Sequence, residues 1–140
     1  MKYEIPIKLP SLNEYTRACR SNKYAGAKMK SAYEQLIGLH LMKMPRWSRP
    51  IKIKFTWVES NKRRDLDNIC FAKKFILDAM VKYGKLKDDN RACVYAFVDN
   101  FAYGEKTKVI LEIEETTEED LFQLSEDVDN EMDWWRKIKI

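Results

Sequence analysis

The chain of 140 residues is 45% hydrophobic and 12% aromatic, enough to bury a core and too apolar for an intrinsically disordered chain. Its formal net charge of +4 hides an asymmetry, because residues 1–111 hold 23 Lys+Arg against 11 Asp+Glu while residues 112–140 hold 3 against 11. A body this basic draws in a polyanion, and no stretch approaches the roughly 20 apolar residues that a membrane helix needs. Three cysteines (Cys19, Cys70, Cys93) without a CxxC pair, beside the single His40, make a poor zinc set and read as reduced thiols. The segment Met1–Ile5 carries no apolar signal region, so a cytoplasmic location is expected, with no membrane partner.

In chain order, Lys2 to Leu9 alternates, with Tyr3, Ile5, Ile7 and Leu9 on one side, and predicts a half-buried strand. Pro6 argues for an edge or end position in the sheet. Pro10-Ser11-Leu12-Asn13 turns the chain, and residues 14–23, with Arg17, Arg20 and Lys23, predict a loop or short helical turn. From about Tyr24 to Met42 the positions Ala25, Met29, Ala32, Leu36 and Leu39 recur at helical spacing and predict a helix buried on that stripe. Pro45 and Pro50 separate it from a strand in which Ile51, Ile53, Phe55 and Trp57 alternate with Lys52, Lys54, Thr56 and Val58. A helix over about Leu66–Tyr83 follows, with a core stripe of Ile69, Ala72, Phe75, Ile76, Ala79, Met80 and Tyr83, closed by Gly84 as a C′ stop. Ala92–Val98 and Lys108–Glu114 then read as two strands joined through Phe101–Gly104 as a hairpin. Thr116-Thr117-Glu118-Glu119 opens a last helix as a capping box, with Leu121, Leu124, Val128 and Trp135 along one edge. The expected fold is therefore α+β: one domain over residues 1–115, a small mixed sheet packed with two main helices, and an acidic helical extension over 116–140. That extension, with its Trp134-Trp135 pair, is expected to dock back on the body.

The chemistry gathers at the junction of the second strand and the helix after it. Lys62-Arg63-Arg64 is followed at once by Asp65-Leu66-Asp67-Asn68, and a second acidic pair, Asp88-Asp89, stands four residues beyond Gly84. Carboxylates gathered from two segments suit a hard, oxygen-seeking cation, and arginines beside them suit phosphate. Each half alone is also ordinary structural chemistry, since acids cap helix N-termini and form turns. In combination they point to phosphoryl-transfer chemistry on a polyanion. On one continuous helix Lys74 falls within about 20° of Asp67 and about 11 Å along the axis, whereas Lys73 lies on another face. Asp78 stands one turn beyond Lys74, where an (i, i+4) contact can hold it.

Arg63-Arg64-Asp65-Leu66-Asp67-Asn68-Ile69, then Lys74 with Asp78-Ala79-Met80, then Gly84 with Asp88-Asp89, resembles the signature of the RusA-type Holliday junction resolvases. Pro10-Ser11-Leu12-Asn13 matches a second element of that family, so the resemblance spans about residues 5–113. It implies a RusA-like fold and a Mg2+- or Mn2+-dependent endodeoxyribonuclease that resolves four-way DNA junctions by paired symmetric nicks in recombination and repair. It assigns Asp65, Asp67 and Asp89 to the metal and a helical lysine to catalysis. Counting back from Asp78 selects Lys74, and counting forward from Asn68 selects Phe71; the helical-face argument favours Lys74. Asn13, Arg17, Arg20, Lys23, Lys62, Arg63, Arg64, Asn68 and Lys73 are the expected DNA contacts. Two nicks in opposed strands call for a homodimer, and no nucleotide cofactor is implied. Two other readings remain: a junction-binding protein of the same fold that has lost cleavage, and an unrelated Asp-x-Asp enzyme holding a nucleotide-sugar through Mg2+.

Overall fold

The computed structural model describes residues 1–116. Eight elements follow in order: β1 (Lys2–Ile5), α1 (Leu12–Ser21), α2 (Ala25–His40), β2 (Ile51–Glu59), α3 (Leu66–Cys70), α4 (Lys73–Lys82), β3 (Val94–Tyr103) and β4 (Lys108–Glu115). The strands form one mixed sheet in the order β1-β4-β2-β3, in which only β2 and β3 run parallel. The α+β expectation holds. Alternation on β2 puts Ile51, Ile53, Phe55 and Trp57 on one face, where they join Ile37, Leu41, Phe75, Ile76 and Met80 in a single core. Lys52, Lys54 and Thr56 occupy the opposite, half-buried face, where Lys54 pairs with Glu112 at 3.6 Å.

β1 stops at Ile5, one residue before Pro6, and lies at the sheet edge as the proline requires. Residues 14–23, read as a loop or short turn, are mostly the ten-residue helix α1. Its missed start signal is the Ser11 N-cap: Ser11 Oγ accepts the Glu14 N–H at 3.1 Å and donates to Glu14 Oε1 at 3.3 Å. The stripe expected to bury α2 is wrong in phase. Leu36 and Leu39 are exposed, and the buried positions are Gly26, Glu34, Ile37 and Gly38. A glycine face carries no hydrophobic signal, yet a Cβ at Gly38 would lie 2.5 Å from the Tyr83 ring and one at Gly26 would lie 2.4 Å from Cys19 Sγ. Both glycines admit neighbours where an apolar side chain would hold them off.

The single helix expected over Leu66–Tyr83 is two, interrupted at Phe71-Ala72. α4 ends as the glycine predicts: Gly84 has φ +75°, its N–H reaches the Val81 carbonyl at 3.1 Å, and the Lys85 N–H reaches Met80 at 2.7 Å. The hairpin expected between β3 and β4 is absent. β3 continues to Tyr103 and pairs only with β2, while β4 passes over the end of β2 to lie between it and β1. At that crossing the Gly104 N–H bonds the Glu59 carbonyl at 3.0 Å, and a Cβ on Gly104 would stand 2.9 Å from Val58 Cγ1. Burial decides the order, since β4 seals Val109, Leu111 and Ile113 in the core, whereas β3 keeps Phe97, Phe101 and Tyr103 partly exposed at an edge. The acidic extension lies outside the described residues, apart from Thr116, which is buried with its N–H on the Pro50 carbonyl at 2.9 Å.

Candidate metal and DNA site

The loop that delivers the paired aspartates is anchored by Arg64. Its Nε donates to Glu59 Oε1 at 2.6 Å and its Nη1 to the Leu9 carbonyl at 2.8 Å. Glu59 is buried at the end of β2, so this ion pair ties the loop to the sheet and to the segment leading into α1. Ahead of it, Asn61 Oδ1 accepts the Arg63 N–H at 3.0 Å, an Asx turn that starts the loop. Behind it, Asn68 Oδ1 accepts the Asn13 N–H at 3.1 Å. The two separated sequence elements, Pro10–Asn13 and Arg63–Asn68, are thereby joined side by side.

Between those anchors stand Asp65 and Asp67, both exposed. Asp65 occupies the N-cap position of α3, and its side chain makes no capping bond there. Helix capping therefore does not account for it. Of the second acidic pair, Asp88 shapes the turn, accepting the Asp89 N–H at 2.7 Å and Asn90 Nδ2 at 3.3 Å. Asp89 instead meets the lysine: Lys74 Nζ lies 3.1 Å from Asp89 Oδ2 and 3.2 Å from Asp78 Oδ1. The (i, i+4) contact with Asp78 is the one the spacing predicts. Hydrogen bonding to Asp89, and then to Asp78, raises the Lys74 pKa, and the Lys74 hydrogen bond is the main cause holding Asp89 below the ordinary carboxylate value. On its other oxygen Asp78 takes Lys30 of α2 at 2.6 Å, a partner that sequence spacing within one helix could not reveal.

The model of the family described as endodeoxyribonuclease RusA matches residues 6–114. The chain belongs to the RusA endodeoxyribonuclease family. No curated protein matches it. Membership brings with it the nuclease class and junction DNA as the substrate type, and the match ends just before the acidic extension.

Within this RusA-family chain the expected DNA contacts divide. Asn13, Arg17, Arg20, Lys23, Lys62 and Arg63 are exposed, with Lys62 Nζ 5.7 Å from the Tyr103 ring centre and Lys23 Nζ 5.6 Å from that of Tyr24. Arg64, Asn68 and Lys73 are committed within the protein. Lys73 pairs with Asp99 at 2.6 Å and lies 4.6 Å from the centre of the Phe97 ring, on the β3 side of α4. Asp99 also accepts Trp57 Nε1 at 2.9 Å. For a hard divalent cation the donor chemistry fits: Asp65 and Asp67 are exposed oxygen donors one residue apart, whose side chains have no hydrogen-bond or ion-pair partner among the described residues. Their arrangement is incomplete, since no group of three His, Cys, Asp or Glu side chains converges on a metal position among the described residues. Asp89 is turned to Lys74. Asp67 and Lys74 stand on two helices, α3 and α4, rather than on the one continuous helix expected.

Proposed function

We propose that the protein is a Mg2+-dependent, structure-selective endodeoxyribonuclease that resolves four-way junctions by paired symmetric nicks, acting as a homodimer in DNA recombination and repair. The observation that carries this reading is the Asp65/Asp67 pair, exposed and unspent between two anchors, in a chain of the RusA family. Asp65 and Asp67 would hold the metal, with Asp89 joining them on exchange from Lys74. When bound, Mg2+ supplies an activated water and charge stabilisation at a non-bridging phosphate oxygen. Lys74 keeps its proton, because its carboxylate neighbours raise its pKa, and so offers a fixed positive charge to the phosphate. Arg63 and Lys62, exposed beside the pair, position the DNA backbone.

A second reading, binding without cleavage, is favoured by Phe71. In the forward register it takes the lysine's place, and it is packed 5.5 Å from the Tyr15 ring and 5.7 Å from the Phe75 ring. A labelled four-way junction separates the two. Symmetric nicks that need Mg2+ support resolution. A shifted junction band with intact strands, at any Mg2+ concentration, supports binding alone.

A further inference from the structure

α2 contributes a lysine that the family motif does not contain. Lys30 Nζ lies 2.6 Å from Asp78 Oδ2, while Lys74 Nζ lies 3.2 Å from the other oxygen, Oδ1, so one carboxylate holds two ammonium groups side by side. Farther along the same interface Glu34 stands 3.8 Å from Lys30 and 3.7 Å from Lys82. Lys30, Lys74 and Lys82 thus share two carboxylates fixed on helices, while Asp89, which also takes Lys74, lies on a loop. The consequence is one of charge. Asp78 alone beside Lys74 would offset the positive charge that a phosphate needs there. With Lys30 on its far oxygen, Asp78 faces two ammonium groups and does not by itself neutralise the pair; Asp89 on Lys74 is the acid that must turn away for a phosphate to replace it. Both lysines reach solvent, at 32% and 57% side-chain exposure, so each can meet a ligand. The hydrogen bond to Asp78 is the main cause raising the Lys30 pKa.

We propose that Lys30 is a second phosphate-binding cation of the cleavage site, held beside Lys74 by Asp78, and that the two lysines grip one phosphodiester of the DNA backbone. This rests on the nuclease reading. A cation that contacts a phosphate releases counterions on binding, whereas a lysine that only staples α2 to α4 releases none.

The test is junction affinity by fluorescence anisotropy in EDTA over a series of salt concentrations, for wild type, Lys30→Gln, Lys30→Arg and Lys82→Gln. Lys82→Gln removes an equal charge from the Glu34 end of the network. The expected result is that Lys30→Gln weakens binding by about three- to tenfold and lowers the slope of log K against log salt by about one unit. Lys30→Arg should restore both, and Lys82→Gln should keep the wild-type slope. An unchanged slope for Lys30→Gln overturns the inference, whether or not its melting temperature falls. An equal drop for Lys82→Gln overturns it too, as general charge loss. A wild-type protein that binds no DNA overturns both the inference and the nuclease reading; one that binds and cleaves, with Lys30→Gln unaltered, overturns the inference alone.

Discussion

On the proposed reading Asp65 and Asp67 carry the chemistry, and the described fold asks nothing else of their side chains. Neither Asp65→Asn nor Asp67→Asn removes a structural contact, so each should shift stability by no more than about 0.5 kcal/mol. Junction cleavage should be abolished in both, with binding unchanged or tighter, because a carboxylate that repels phosphate has gone. Either variant cutting near the wild-type rate in Mg2+ would refute the assigned site. The two lysines of α4 divide in the same way. Lys74→Ala should lose cleavage with only a small fall in melting temperature, because the ion pairs it gives up with Asp78 and Asp89 sit on a side chain that is 57% exposed. Lys73→Ala leaves Asp99 without its cation and should act on stability; an inactive but fully stable Lys73→Ala would reverse the assignment. The Lys74–Asp89 contact also predicts a pH window. Asp89 has its pKa depressed from 3.8, so the contact's contribution is present above that value and lost as pH falls through the lower folded value. Lys74 has its pKa raised from 10.5, so the contribution is present below that value and lost as pH rises through the higher folded one. An NMR titration should find the Asp89 carboxyl below the ordinary value in the wild type and back near it in Lys74→Met. Identical titrations would show that the contact does not form in solution.

Among the elements, the loop between β2 and α3 is held by one side chain. Arg64 reads in the sequence as part of a basic run aimed at phosphate, but its side chain is only 15% exposed and serves Glu59 and the Leu9 carbonyl. Arg64→Ala leaves Glu59 buried without its cation and should cost about 3 kcal/mol, seen as a lower midpoint in urea. Arg63→Ala, with an exposed side chain, should leave that midpoint within error and weaken DNA binding. Equal midpoints for the two variants would show that Arg64 is no clamp. The α3–α4 break belongs to this scale too. Beyond it α4 buries Phe75, Ile76, Ala79 and Met80 and brings Lys74 to Asp89.

For the whole molecule, the proposed resolution sets one site per chain against a substrate that needs two cuts. Two chains, each of 16.7 kDa, must act together if both nicks are to fall within one binding event. Mixing wild type with Asp67→Asn should yield hybrid dimers that nick one strand and fail to release linear duplexes. Light scattering should report twice the chain mass. A monomer mass with full symmetric resolution would remove the dimer from the mechanism.

The sequence by itself determined the local features. Alternation marked β2, Gly84 with its neighbours marked the end of α4, and the spacing of Lys74 and Asp78 marked a contact that forms at 3.2 Å. These depend on residues close in the chain, where periodicity and turn chemistry act. The pair Asp65-x-Asp67 was equally legible, because both side chains are exposed and no packing from distant elements decides their place. Tertiary structure alone decided the rest. The strand order that puts β4 between β1 and β2 depends on which strand buries both its neighbours. The true inner face of α2 depends on glycines and on a glutamate paired by lysines from two helices. Which cations face solvent and which are consumed inside, Arg63 against Arg64 and Lys74 against Lys73, depends on partners contributed by other elements, Glu59 and Asp99 among them. Such contacts join residues distant in the chain, and no local pattern encodes them.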